Sequence, residues 1–251
     1  MIGTFSKFLI RSKKMKYELT DNTINYYGRT LYQIRALKDF NNIQKGDLGG
    51  FLEKAENLSN DDNCWIYDNA KVYDNAKVCG NAKVWGDAEV WGDAKVWGDA
   101  EVWGDAEVWG DAKVCGNAKV WGDAEVWGDA EVCGDAKVWG NAKVCGDAEV
   151  WGNAKVCGDA KVWGDAKVWG NAKITDNATI ESEKDWFSAT NVGSENGMLT
   201  VYKGKDGLMA TRGCFYGTIK EFLAKSKEVH DEKTHNEYKL LIEVAKSRIL
   251  E

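Results

Sequence analysis

The chain is predicted to be an all-β solenoid, closed at its N-terminal end by a β cap and at its C-terminal end by a small ββαα unit. Three observations predict it. Alanine recurs at every sixth position from Ala70 to Ala178, 19 times without an insertion, inside the phrase Val-Trp-Gly-Asp-Ala-Lys/Glu. From Gly80 to Asn171 each phrase carries a Gly-Asp or Gly-Asn pair, which bends the chain every six residues and opposes a helix. The period is absent before about Leu58 and after Glu183. A unit this short buries its apolar face only against its neighbours. The expected parts are a loose leader over 1–15, an N-terminal cap over 16–65, the repeat over 66–180 and the C-terminal unit over 181–251.

Residues 1–14 are basic, and Phe8-Leu9-Ile10 is their only apolar patch, too weak for a signal peptide. Met15 is a candidate true start. In the cap, Tyr17-Glu18-Leu19-Thr20 and Thr30-Leu31-Tyr32-Gln33-Ile34 alternate like strands around Tyr27-Gly28. Gly46-Asp47-Leu48-Gly49-Gly50-Phe51 leads towards a first, imperfect coil. A solenoid end exposes its core and unpaired strand edges, so a cap belongs there. Gly49-Gly50 is not a phosphate loop, because no Lys-Ser/Thr follows.

Within the repeat, Lys83, Val84 and Trp85 form a short extended segment whose side chains alternate in direction, and Gly86-Asp87 turns the chain. A narrow solenoid has room for Val and Ala from every copy at crystal-like density, but not for a Trp from every copy. Val72 to Val168 therefore point inward with the alanines, while Trp and Lys/Glu point outward. Each buried Val contributes roughly 1.5–3 kcal/mol. The terminal copies soften to Tyr67-Asp68, Tyr73-Asp74 and Ile174-Thr175-Asp176, as capping predicts.

Val84 and Ala88, and every later copy through Ile174 and Ala178, match the aliphatic-then-small motif of the hexapeptide-repeat family. The chain resembles that family, the left-handed parallel β-helix, and departs from it at Trp85, where a small or polar residue is usual. The resemblance implies three hexapeptides per 18-residue coil and a left-handed rod. A uniform hexapeptide carries no longer period, so neither property follows from the sequence itself. Three repeats per coil would give about six coils, or roughly 30 Å of rod. Lys45 to Phe51, Cys64-Trp65-Ile66 and Gly213-Cys214-Phe215-Tyr216-Gly217 resemble the caps of uncharacterised phage and prophage proteins of the hexapeptide type. That likeness implies a setting in a bacterial host and no mechanism.

In the C-terminal unit, Met198 to Tyr202 and Leu208 to Phe215 look like two strands around a Lys205-Asp206-Gly207 turn. Gly217 is expected to break the second strand. Thr218 and Glu221 form a capping box for a helix whose apolar face is Ile219, Phe222, Leu223 and Val229. A second helix is expected from about His235 to Ile249, with Leu240, Leu241, Val244 and Ile249 as its stripe.

Charge and composition exclude several functions. The net charge is -7; residues 66–180 hold 12 Lys against 14 Asp and 6 Glu, so the rod carries -8 and the remainder about +1. No basic patch suited to tracking phosphates is apparent, which argues against direct nucleic-acid binding. No run approaches ~18 apolar residues, so no membrane span is expected. Five of the seven cysteines, Cys79, Cys115, Cys133, Cys145 and Cys157, replace Trp at the outward position and are expected to be small substitutes for it. Exposed thiols suit a reducing cytosol. On an 18-residue coil Cys115 and Cys133 would stack close enough for a disulfide.

No catalytic residue, cofactor or metal is expected. Family enzymes are often acyltransferases that use a His beside the coils and a projecting loop; here His230 and His235 lie in the helical region and no loop interrupts the repeats. The Asp ladder (Asp87, Asp93, Asp99, Asp105, Asp111) lacks the calcium-solenoid pattern and is explained by turn chemistry. Regular Thr rows for binding ice are absent. What stands out is the indoles: on an 18-residue coil Trp85, Trp103, Trp121 and Trp139 form one row, and Trp91, Trp109 and Trp127 the next. Stacking accounts for such rows structurally, but contiguous apolar patches also mark contact surfaces. The expectation is a cytoplasmic, non-enzymatic binding or scaffold protein that uses these residues to contact a host protein or itself, as in the homotrimers of the family. An acyltransferase is the runner-up; a DNA mimic, weakened by the rod lysines, and a carbohydrate binder follow.

Overall fold

The computed structural model describes residues 15–205 and 207–250; the leader ahead of Met15 and Asp206 of the expected turn lie outside the described residues. Each hexapeptide forms a strand of two to four residues. Each strand pairs in parallel with the one 18 residues on: Val102 stacks between Val84 and Val120, Val108 between Val90 and Val126, Val114 between Val96 and Val132. Three hexapeptides therefore make one coil, the length that the family resemblance implies. Stacked coils build three parallel sheets, called here face 1 (containing Lys71–Val72), face 2 (containing Lys83–Val84) and face 3 (containing Lys77–Val78).

Every Val from Val72 to Val168 and every Ala from Ala70 to Ala172 is fully buried in one continuous core. The inward assignment of Val and Ala holds. Hydrogen bonding runs on through the corners, as where Asp93 N donates to Gly110 O at 2.8 Å. Gly110 explains why the corner keeps glycine: its φ is +70°, and an added Cβ would sit 3.0 Å from Gly128 N in the next coil.

The solenoid makes about seven turns, one more than the repeat alone predicts. The extra turn comes from residues without the phrase. Strand β3 (Leu48–Leu52) pairs in parallel with Lys71–Val72, and Leu58 bridges Val78. Gly50 permits this approach, since a Cβ there would fall 2.4 Å from Ala70 O. On its other edge β3 pairs antiparallel with β2 (Arg29–Ala36), which forms a hairpin with β1 (Tyr17–Tyr26) around Tyr27-Gly28. Both turn residues have positive φ, at 47° and 78°, matching the twist of a tight hairpin. Tyr17, Leu52, Leu58 and Trp65 plug the open coil. Lys16 is buried with them, donating to Asp62 O and Cys64 O at 2.8 Å each. Burial holds its pKa below the usual lysine value and pushes the Cys64 thiol up to about 11.

The C-terminal unit has four antiparallel strands, not two: Trp186–Val192, Gly197–Gly204, Gly207–Arg212 and Phe215–Thr218. The expected strand from Leu208 to Phe215 folds back at Gly213-Cys214, and Gly217 lies inside the last strand instead of breaking it. Helix α1 (Ile219–Val229) starts on the Thr218–Glu221 capping box, with Glu221 N donating to Thr218 Oγ1 at 3.2 Å. Helix α2 (Glu232–Ile249) starts earlier than expected, because Asp231 accepts from Thr234 N and caps it. Its buried stripe is Tyr238, Ile242, Ala245 and Ile249, while Leu240 and Val244 are exposed. Tyr238 sets that rotation by packing edge-on against Phe222 at 5.0 Å. Val229 on α1 is likewise exposed. Trp186 and Tyr202 close the solenoid core, with Trp186 Nε1 donating to Lys167 O at 3.0 Å.

Candidate binding surface on the solenoid corners

The residue after each inward Val sits at a corner, so the three faces generate three corner rows. The row after face 2 runs Tyr67, Trp85, Trp103, Trp121, Trp139, Cys157. Its four indoles stack at 4.8–4.9 Å between centroids, within 5° of parallel. The row after face 1 runs Tyr73, Trp91, Trp109, Trp127, Cys145, Trp163. Tyr73 lies 5.6 Å from Trp91, and the next two steps are 4.9 Å. The third row runs Cys79, Trp97, Cys115, Cys133, Trp151, Trp169, and Trp169 ends edge-on against Trp186.

The seven indoles expected to form the contact surface (Trp85, Trp91, Trp103, Trp109, Trp121, Trp127, Trp139) are thus brought into two rows outside the barrel. All seven are half-buried. Each interior ring covers the face of the next, so ring edges are what a partner would meet along the ladder. Sugar stacking needs a free ring face, which these ladder interiors do not offer. Lys119 and Lys143 lie over the Trp103 and Trp127 rings at 5.9 and 5.8 Å, covering them further.

The most open indoles are others: Trp151 at 46%, Trp169 at 43% and Trp163 at 40% exposed. Trp163 stands between Cys145 and Glu181, one coil away on either side, and neither can stack on it. Trp151 and Trp169 stack loosely, at 6.1 Å and 26°. A cysteine 18 residues from a Trp marks such a gap, but that mark is readable only once the coil length is known.

Two corner cysteines, Cys115 and Cys133, form a disulfide across one layer. This is the pairing that an 18-residue coil allows. Cys79, Cys145 and Cys157 remain free substitutes for Trp, but Cys157 is buried and the other two are half-buried, so the expectation of exposed thiols does not hold for them.

Beside the inward valines, Lys and Glu form charged rungs. Five ion pairs join neighbouring coils: Lys71–Glu89, Glu101–Lys119, Lys113–Glu131, Glu125–Lys143 and Glu149–Lys167, at 2.5–3.3 Å. Four of these pairs are half-exposed and stabilise little, whereas Lys71–Glu89 is mostly buried; together they cancel much of the rungs' field. Glu107 sits between Glu89 and Glu125, and burial together with those two carboxylates raises its pKa. Near the N-terminal end, Glu89 accepts from Tyr26 and Tyr73, and desolvation pushes both phenols upward.

The Asp and Asn side chains lie at the bends, with Asn81 donating to Asp99 and Asn117 to Asp135 at 2.8 and 2.9 Å across one coil. Among the described residues, no group of three or more His, Cys, Asp or Glu could hold a metal ion. His235 Nδ1 lies 3.2 Å from Ser226 Oγ, and His230 caps α1. Among the described residues, no helix is long and apolar enough to cross a membrane.

No protein-family model matches the chain, and no curated protein matches it.

Proposed function

We propose that this chain is a non-enzymatic binding or scaffold protein that contacts a host protein, or a second copy of itself, through the indole-lined corners of its solenoid. Its setting in this proposal is the bacterial cytosol, on behalf of a phage, as the likeness of the caps implies. One observation carries the proposal. Stacked indoles form apolar edges along two corners of the rod, and near its C-terminal end Trp163 on one of these corners and Trp151 and Trp169 on the third stand exposed. Indoles at exposed positions are poor choices for solubility and strong ones for anchoring a partner.

The test compares the unaltered chain with W151S/W163S/W169S by sedimentation equilibrium and by pulldown from bacterial lysate. The expected result is a self-associated species or a captured host protein that the triple variant loses. A monomer that captures nothing, or a partner held equally by the variant, contradicts the proposal.

A further inference from the structure

Face 2 ends in an unusual run of charge. Lys119, Lys137, Lys155 and Lys173 pair in register on consecutive coils. Strand spacing sets such rungs ~4.8 Å apart, and like charges directly opposite one another destabilise a sheet. Lys119 is relieved by Glu101 at 2.6 Å. Among the described residues, Lys137, Lys155 and Lys173 have no carboxylate within ion-pair distance.

The last two of these lysines open into a cleft of about 360 Å³ between face 2 and the C-terminal sheet. Arg212 lines the same cleft with its side chain 11% exposed. Its Nη2 donates to Val192 O at 3.1 Å, its Nη1 lies 3.8 Å from the open Glu195, and its Nε is buried without an acceptor. Gly197 makes room for this guanidinium, since a Cβ there would lie 2.4 Å from Nη1. Thr211 Oγ1 donates to Lys173 O at 2.9 Å, which ties the last lysine rung to the strand bearing Arg212. Every ionisable side chain lining the cleft is a cation, and Asn191, Asn196 and Thr190 add uncharged donors. In a chain of net charge -7 this concentration of positive charge is local and built from two separate elements.

We propose that this cleft is a binding site for a small phosphate-type oxyanion, a phosphomonoester by size and charge. Two ammonium groups and a guanidinium lining one concavity, offset by the single carboxylate of Glu195 on Arg212, supply the charge that a phosphate dianion requires. A cleft between low-dielectric walls strengthens that field beyond what lone surface lysines provide. The volume suits a small molecule and excludes a folded partner. The site is independent of the corner indoles, so either proposal can fail without the other.

Titration calorimetry of the full chain with inorganic phosphate and glycerol phosphate tests it, with acetate as comparator. Saturable binding of both phosphates is expected, weakened roughly tenfold for each lysine removed in K155Q/K173Q and unchanged in K95Q on face 3. A second measurement needs no variant: phosphate should protect Lys155 and Lys173, but not Lys95, from an amine-reactive acetylating reagent mapped by mass spectrometry. Absence of saturable binding, or equal affinity in K155Q/K173Q, overturns the proposal. Equal affinity for acetate overturns the phosphate assignment.

Discussion

Replacing Trp103 by Ala should cost far more than the same change at Trp163, although the two belong to the same repeated phrase. Trp103 stacks on Trp85 and on Trp121, both at 4.8 Å and at 5° and 1°. Each stack is worth about 0.5–1.5 kcal/mol beyond area burial, so two give about 1–3 kcal/mol. Trp163 has no stacked ring among the described residues and is 40% exposed. The expected difference between W103A and W163A is therefore about 1–3 kcal/mol, with W163A near the small values usual for surface changes. Urea unfolding followed by far-UV circular dichroism measures it. Because a solenoid can open coil by coil, hydrogen exchange at the Val102 and Val120 amides supplies a local readout. The double variant W103A/W121A should lose less than the sum of its single losses, since both singles remove the same stack. Equal costs for W103A and W163A would refute the claim that ladder position, not residue type, sets the contribution.

Three further outcomes follow from the packing. G110A should destabilise by about 1–2 kcal/mol because it places a side chain at positive φ and against Gly128, and thermal melting checks it. Glu107 has its pKa raised, first by burial and then by Glu89 and Glu125. Its folded state favours the protonated form, so its contribution is full below the unfolded carboxylate pKa of about 4.3 and is lost as pH rises through the raised value. E107Q should then stabilise at pH 7 by about 0.2–1 kcal/mol and have no effect once the pH is below the ordinary carboxylate range; a loss at pH 7 would contradict this. In oxidised protein, C115S/C133S removes a link closing one coil and should cost about 2–3 kcal/mol in urea unfolding, a difference that vanishes under reductant.

The solenoid was legible because Val, Gly and Ala recur at fixed places whose requirements are local: a small core, a positive φ, a tight corner. The coil length was not. A uniform hexapeptide satisfies any number of sides, and only stacking partners such as Val102 and Val120 reveal three. That one missing number also hid that Trp163 has no ring to stack on, because Cys145 stands one coil before it and Glu181 one coil after. Counting turns from the phrase missed Leu52 and Leu58, which stand in register with the inward Val72 and Val78 without its sequence. In the C-terminal unit, Trp186–Val192 lacks a clean alternation because it runs from the buried Trp186 at the solenoid end to exposed Thr190 and Asn191. The stripe of α2 was misplaced for a similar reason: Leu240 and Val244 are apolar, but the contact of Tyr238 with Phe222 turns them outward. The cationic cleft could not be read at all, since Lys155, Lys173 and Arg212 meet only in three dimensions.

The most direct test is thiol accessibility at two adjacent positions. V120C and W121C, each labelled with a maleimide in the folded state and mapped by mass spectrometry, should differ sharply: Cys at 121 reacts and Cys at 120 stays protected until the chain is unfolded. Labelling at 120 with protection at 121 would place the indoles inside and the aliphatic side chains in water, and would contradict the fold, the ladders and the binding surface together.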